Sequence, residues 1–176
     1  MVSLMALSRT YEIDSSRSSW KLHVGDAEVG GELRELSGNL VFDSEDVNAC
    51  SIHLWSAIAG NGDSSGTSNE CGIRFVSWRF REIGYRDYWV PGALRIGDLA
   101  QVESLRLRGP SAEIADTHGS LRAAATAVAK IGTSRIPLAM DPMQQTRDHA
   151  PRAEAILCFQ IELVCRMPAE SKSVAA

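Results

Sequence analysis

The residues best suited to chemistry are few and far apart in this chain. His23, His53, His118 and His149 have neither the HxxxH nor the HxH spacing through which paired imidazoles hold a metal. Cys50, Cys71, Cys158 and Cys165 include no CxxC pair, so small apolar fillers or turn residues are expected in place of a zinc or redox site. No P-loop or helix-opening GxGxxG occurs, and the one GxSxG match, Gly62 to Gly66, lacks the following helix of a nucleophile elbow. The run GNGDSSG has the composition of a phosphate-gripping loop, but it lacks the lysine and the following helix, which leaves a solvated loop. No catalytic residue, metal ligand or cofactor is assigned, and the chain is read as a non-enzyme. An isomerase using His23 or His53 as base would need one of them to face an interior. Arg79, Arg81, Arg95, Arg106 and Arg108 fall on the polar phases of neighbouring segments, as on a solvated face paired with nearby acids.

The elements that would carry these residues are strands. In SWKLHVGDAEVGGELRELSGNLVFD, Trp20, Leu22 and Val24 share one face, and Leu36, Gly38, Leu40 and Phe42 repeat the pattern. Expected strands run over Tyr11–Ile13, Trp20–Val24, Leu33–Phe42 and Ser51–Ala59, the last with Ile52, Leu54 and Ile58 on one face. IRFVSWRFREI places Val76, Trp78 and Phe80 together, and YWVPGALRI sets Tyr88, Val90, Leu94 and Ile96 in phase around Gly92. Leu105 and Leu107 alternate with Arg106 and Arg108, and Leu157, Phe159, Ile161 and Leu163 with Cys158, Gln160 and Glu162. Only SLRAAATAVAKI is ambiguous, because its alanines favour a helix while a strand among strands can override that preference. About eight antiparallel strands, each with one apolar face, give an all-β sandwich or closed barrel. A barrel is favoured, since it leaves no edges to protect.

A chain of 176 residues suits one domain with a sizeable core. The expected barrel occupies residues 10–166 and a flexible polar tail 167–176. A net charge of −4, from 18 basic and 22 acidic residues, gives no bulk attraction for nucleic acid. No apolar run is long enough for a membrane-spanning helix, and MVSLMALSRT has no basic n-region, so a cytoplasmic protein without stable membrane insertion is expected.

Several of these segments resemble the YceI-like family of lipid-binding proteins. Tyr11, Ile13 and Asp14 match its opening strand, Ser18 and Ser19 its serine pair, and Leu36, Ser37, Gly38, Leu40, Phe42 and Asp43 its Phe-Ser-Gly-x-Ile-x-Phe-Asp run. Tyr88, Val90, Gly92, Leu94 and Ile96 match its Tyr-x-Val-x-Gly-x-Leu-x-Ile hairpin. The resemblance covers roughly residues 10–166. It implies a lipocalin-like antiparallel barrel, with the alanine segment as a strand, and an elongated lumen that holds an isoprenoid or other long-chain apolar lipid.

The departures fall at loops. Gly60, Asn61 and Asp63 remain, but the family's helical insert is replaced by a Ser/Gly segment, so no helical cap is expected over Gly60–Gly72. GDLAQV and GTSR stand where the family has other turns. A barrel that loses its cap leaves apolar lining to be covered, which makes a homodimer an expectation. The expected lining is Trp20, Leu22, Val24, Leu40, Phe42, Ile52, Leu54, Val76, Trp78, Phe80, Leu94, Ile96, Leu105, Leu107, Phe159 and Ile161. Eight-stranded barrels either fill with side chains or admit one small ligand. The alternative to a carrier is therefore a filled barrel that serves as an interaction module.

Overall fold

The computed structural model describes residues 8–25, 27–29, 36–56, 72–97, 99–132 and 154–166. Twelve strands form one continuous antiparallel sheet: β1 Arg9–Ile13, β2 Ser19–Val24, β3 Ala27–Val29, β4 Ser37–Phe42, β5 Ser51–Ser56, β6 Ile73–Ser77, β7 Arg81–Gly84, β8 Asp87–Ile96, β9 Leu99–Arg108, β10 Ile114–Ala115, β11 Ser120–Gly132 and β12 Glu154–Arg166. Eight of them close a ring in the order β11–β9–β8–β6–β5–β4–β1–β12, because β12 pairs back onto β11. The others extend strand edges: β2 and β3 beside β12, β7 beside β8, and β10 beside β11. No α-helix occurs among the described residues, only a 3-10 turn at Val47–Ala49 capped by Asp46.

The alanine segment is a strand. β11 pairs with β12 residue for residue from Ser120↔Arg166 to Gly132↔Glu154, and with β9 through Thr126–Val128. Alanine's helix preference is a fraction of a kcal/mol per residue, and two hydrogen-bonded neighbours outweigh it.

β1 and β2 run along the same edge of β12, separated by a turn over Asp14–Ser18. The Asp14 amide donates to the Glu162 carbonyl at 2.9 Å, and the Ser18 hydroxyl accepts from the Glu162 amide at 2.9 Å. The first serine of the pair thus supplies a ladder acceptor where the backbone leaves the sheet.

Two strand-centre glycines allow close approach. A Cβ at Gly38, whose φ is +152°, would lie 2.1 Å from the His53 carbonyl oxygen. A Cβ at Gly92 would lie 2.3 Å from the Val76 oxygen and 2.6 Å from the Phe75 ring. The Phe75 side chain lies over the gap left by Gly92.

One phase differs from expectation. β6 turns Ile73 and Phe75 inward, and Val76 lies on the outer side. Trp78 is 61% exposed and Phe80 is buried. The strand ends at Ser77 and the chain bends at Trp78, so two outward residues intervene before Phe80. Alternation counted back from Phe80 through that bend inverts the strand. Val76 and Trp78 are therefore not interior residues. Strands expected over Leu33–Phe42 and Ser51–Ala59 are described as Ser37–Phe42 and Ser51–Ser56. Leu33, Ile58, the loop at 60–71 and the tail 167–176 lie outside the described residues.

Candidate functional site

β2, β8 and β11 finish at one end of the barrel, called the upper end, with Val24, Ile96 and Gly132, and β6, β9 and β12 begin there. The connections 57–71 and 133–153 leave from this end. The lower end carries the Asp43–Cys50 turn, the β7–β8 hairpin and the crossing from β9 to β11.

The inner wall is apolar. Of the expected lining, Trp20, Leu22, Val24, Leu40, Ile52, Leu54, Phe80, Leu94, Ile96, Leu105, Leu107, Phe159 and Ile161 are buried, and Phe42 is half-buried against them. Tyr11, Leu36, Ile73, Phe75, Val90, Ile131, Leu157 and Leu163 join this core, as does a row of alanines on β11: Ala123, Ala125, Ala127 and Ala129. Each alanine stands beside a large residue of β12, and Ala127 also has Leu107 of β9 on its other side. Thin and thick wall positions thus sit side by side, as small barrels use to fit their interior. The segment's composition does not separate the two faces, because Ala124 and Val128 point outward between the inward alanines. Leu40, Leu54, Leu105, Leu107 and Ala127 each expose 0% of their surface, so side chains fill the middle of the barrel.

The upper end is different. β9 turns Leu107, Leu105, Glu103 and Gln101 inward in succession, and the last two are only half-buried. Gln101 stands opposite Leu94, and Glu103 opposite Gly92. Across the interior, the Trp20 indole donates to the Ser56 hydroxyl at 3.2 Å with both groups buried, tying β2 to the end of β5.

The lower end is closed. Tyr88 packs between Phe42 and Phe80, with ring centroids 5.8 Å away on either side. The Tyr11 hydroxyl donates a very short hydrogen bond to Glu113, which also meets Arg9 at 3.4 Å. Burial, then the hydrogen bond to Glu113, pushes the Tyr11 phenol well above its ordinary pKa. Arg122 bridges Asp14 at 3.0 Å and Asp116 at 3.2 Å.

Outside the ring, His23 and His53 lie on the outer face, so neither is an interior base. Arg74 donates to His53 at 3.1 Å, and burial, then the Arg74 charge, lowers the His53 pKa. Arg79, Arg81, Arg95, Arg106 and Arg108 are exposed, with Arg106 and Arg108 both on Asp87. Trp55, Trp78 and Trp89 are exposed on this side, and Trp89 stands between Arg81 and Arg106 in register. A cleft of 540 Å³ opens at the lower end beside Tyr85, Arg86, Asp87, Arg108, Pro110 and Thr126, outside the barrel interior. Cys50, Cys158 and Cys165 are unpaired thiols. Among the described residues, no cluster of His, Cys, Asp and Glu has the makings of a metal site.

No family model and no curated protein sequence matches the chain. Solved structures do. BcnA of Burkholderia cenocepacia is similar at TM-score 0.58 and 13% identity, over 85% of this chain and 98% of that one. A crystal structure of a mutant CJ YCEI protein with a monobromobimane guest is similar at TM-score 0.54 and 13% identity, over 83% of this chain and 90% of that one. The chain has the YceI-type fold. At this identity the likeness is one of fold.

Proposed function

We propose that this YceI-type barrel is a non-catalytic carrier of an elongated apolar lipid of isoprenoid type. The lipid enters at the upper end and lies along the alanine wall of β11, displacing the side chains that fill the barrel when no lipid is bound. The observation that carries the reading is the inner face of β11, four successive inward methyl groups on a 13-residue strand inside a closed apolar ring. A wall of that kind is thin and lacks polar groups, and it suits a branched hydrocarbon chain more than a compact polar molecule. The change from Leu107 and Leu105 to Glu103 and Gln101 along the inner face of β9 supports the upper end as the entrance, and the Phe42–Tyr88–Phe80 cluster argues against the lower end. Native mass spectrometry of purified protein, followed by titration with prenyl lipids, tests the reading. A bound lipid mass, or saturable uptake at one lipid per chain, is expected. Protein that arrives unliganded and takes up no prenyl lipid would refute it.

The filled middle of the barrel favours a second reading, an interaction module. Its contact surface would be the outer face with Trp55, Trp78 and Trp89, and its simplest partner a second copy of the chain. Sedimentation at micromolar concentration tests this. A dimer that Trp78→Ser and Trp89→Ser together dissociate supports it, and a monomer at all concentrations removes the self-association half of the reading.

A further inference from the structure

Polar groups inside the barrel are answered by the fold, with one exception. The Trp20 indole has Ser56, the Tyr11 hydroxyl has Glu113, and the Ser18 hydroxyl has the Glu162 backbone. Both amide atoms of Gln101, Oε1 and Nε2, are shut off from water and have no partner, the only such side-chain atoms among the described residues. Burying a donor and an acceptor together without partners is costly, and a leucine of similar size would avoid that cost. Gln101 is an inward position of β9, opposite Leu94 and just above the apolar row that begins at Leu105. It stands near the upper end of an otherwise apolar inner face, one inward position below the Ile96–Leu99 pair and one above Glu103.

We propose that the Gln101 amide recognises the polar end of the ligand, and that this end is a hydroxyl group. The proposal rests on the carrier reading above and adds the ligand's head and its position. A hydroxyl can donate to Oε1 and accept from Nε2 at once, which satisfies both halves of the amide. A carbonyl or a phosphate offers only acceptors and leaves Oε1 unanswered. A phosphate also brings negative charge beside Glu103, the next inward residue of β9. A hydrocarbon without a head answers neither atom. The ligand class that fits is a long-chain isoprenoid alcohol, with its hydroxyl at the upper end and its tail towards the β11 alanines.

The test uses the full chain and three probes of one length: geranylgeraniol, geranylgeranyl phosphate and the matching 20-carbon isoprenoid hydrocarbon. Dissociation constants are measured for the wild type, Gln101→Leu and Gln101→Met. The second variant guards against a folding defect particular to the first. The wild type is expected to prefer the alcohol over the hydrocarbon by roughly tenfold or more, with the phosphate weaker than the alcohol. In either variant the preference should collapse towards one through loss of alcohol affinity, while hydrocarbon affinity is kept. Equal wild-type affinity for alcohol and hydrocarbon, tightest binding of the phosphate, or an undiminished alcohol preference in both variants would overturn this proposal and leave the carrier reading standing. Failure of all three probes to bind the wild type would remove the carrier reading, and this proposal with it.

Discussion

At Gly38 a single hydrogen atom stands where any other residue would place a carbon. Its Cβ position is 2.1 Å from the His53 carbonyl oxygen and 2.9 Å from Ile13 Cδ1. That oxygen belongs to the neighbouring strand and cannot move without breaking the β4–β5 ladder, where Gly38 faces Leu54. Gly38→Ala is expected to cost at least about 1–3 kcal/mol from overpacking, and its positive φ adds strain. Urea denaturation should show a lower midpoint at unchanged slope; an unchanged midpoint would mean that the strands separate freely here. A glycine inside a strand is readable in the sequence as a point of close approach. What it approaches is not, because His53 is a neighbour only through pairing. Gln101 was hidden for a related reason: in GDLAQV it looks like a turn residue, and only the register with Leu94 places it inward.

Among the elements, β11 decides most about function. Ala127 lies against Leu107 on one side, and Ala127 and Ala125 against Phe159 and Ile161 on the other, so the space beside the strand is set by methyl groups. Ala127→Phe puts a ring where a lipid tail is proposed to run. The expected outcome is loss of prenyl-lipid uptake with destabilisation of about 1–3 kcal/mol. Thr126→Phe, on the exposed face of the same strand, should leave uptake unchanged. Equal uptake by wild type and Ala127→Phe would place the lipid elsewhere. The strand itself was half-legible. Its place among strands argued for a strand, but alanine content pulled towards a helix, and only thirteen paired residues on β12 settle the matter. β6 failed in the opposite way, its aromatic residues suggesting a phase that the bend at Trp78 breaks. β7, β10 and the short β3 have too few residues for any alternation to register. The ring was readable because its strands are mostly long and one-faced, whereas the accessory strands are defined by their neighbours.

For the molecule as a whole, acid and alkali act on different anchors of the same closed ring. On the acid side, hydrogen bonds from Ser16, then Arg122, hold the Asp14 carboxyl below its ordinary range. Backbone amides of Ser120 and His118, with Arg122, do the same for Asp116, and Arg106 does it for Asp87. A folded-state pKa below the unfolded one adds stability that is present above about pH 4 and lost as the pH falls through the folded value. The lowered His53 pKa has the same sign, with a small loss starting below about pH 6.5. On the alkaline side the sign reverses. The Tyr11 phenol keeps its proton in the fold to higher pH than in the unfolded chain, so stability falls as the pH rises above about 10. Arg122 joins the β1–β2 turn to β11, and Tyr11 joins β1 to the segment before β10, so both limbs report on closure of the lower end. Urea midpoints should form a plateau near neutrality and fall at pH 3 and at pH 10.5. Arg122→Gln should lower the neutral midpoint and shrink the acid fall, because the carboxylates lose the charge that makes their ionised form favourable. Tyr11→Phe should cost about 0.5–1.5 kcal/mol at pH 7 from the lost hydrogen bond and make the alkaline fall shallower, the remainder belonging to Tyr88, Cys50 and Cys158, whose pKa values burial also raises. An alkaline limb as steep in Tyr11→Phe as in the wild type would assign it to groups other than this phenol, and the pH 7 midpoint alone would then measure what the Tyr11–Glu113 contact adds to closure of the barrel.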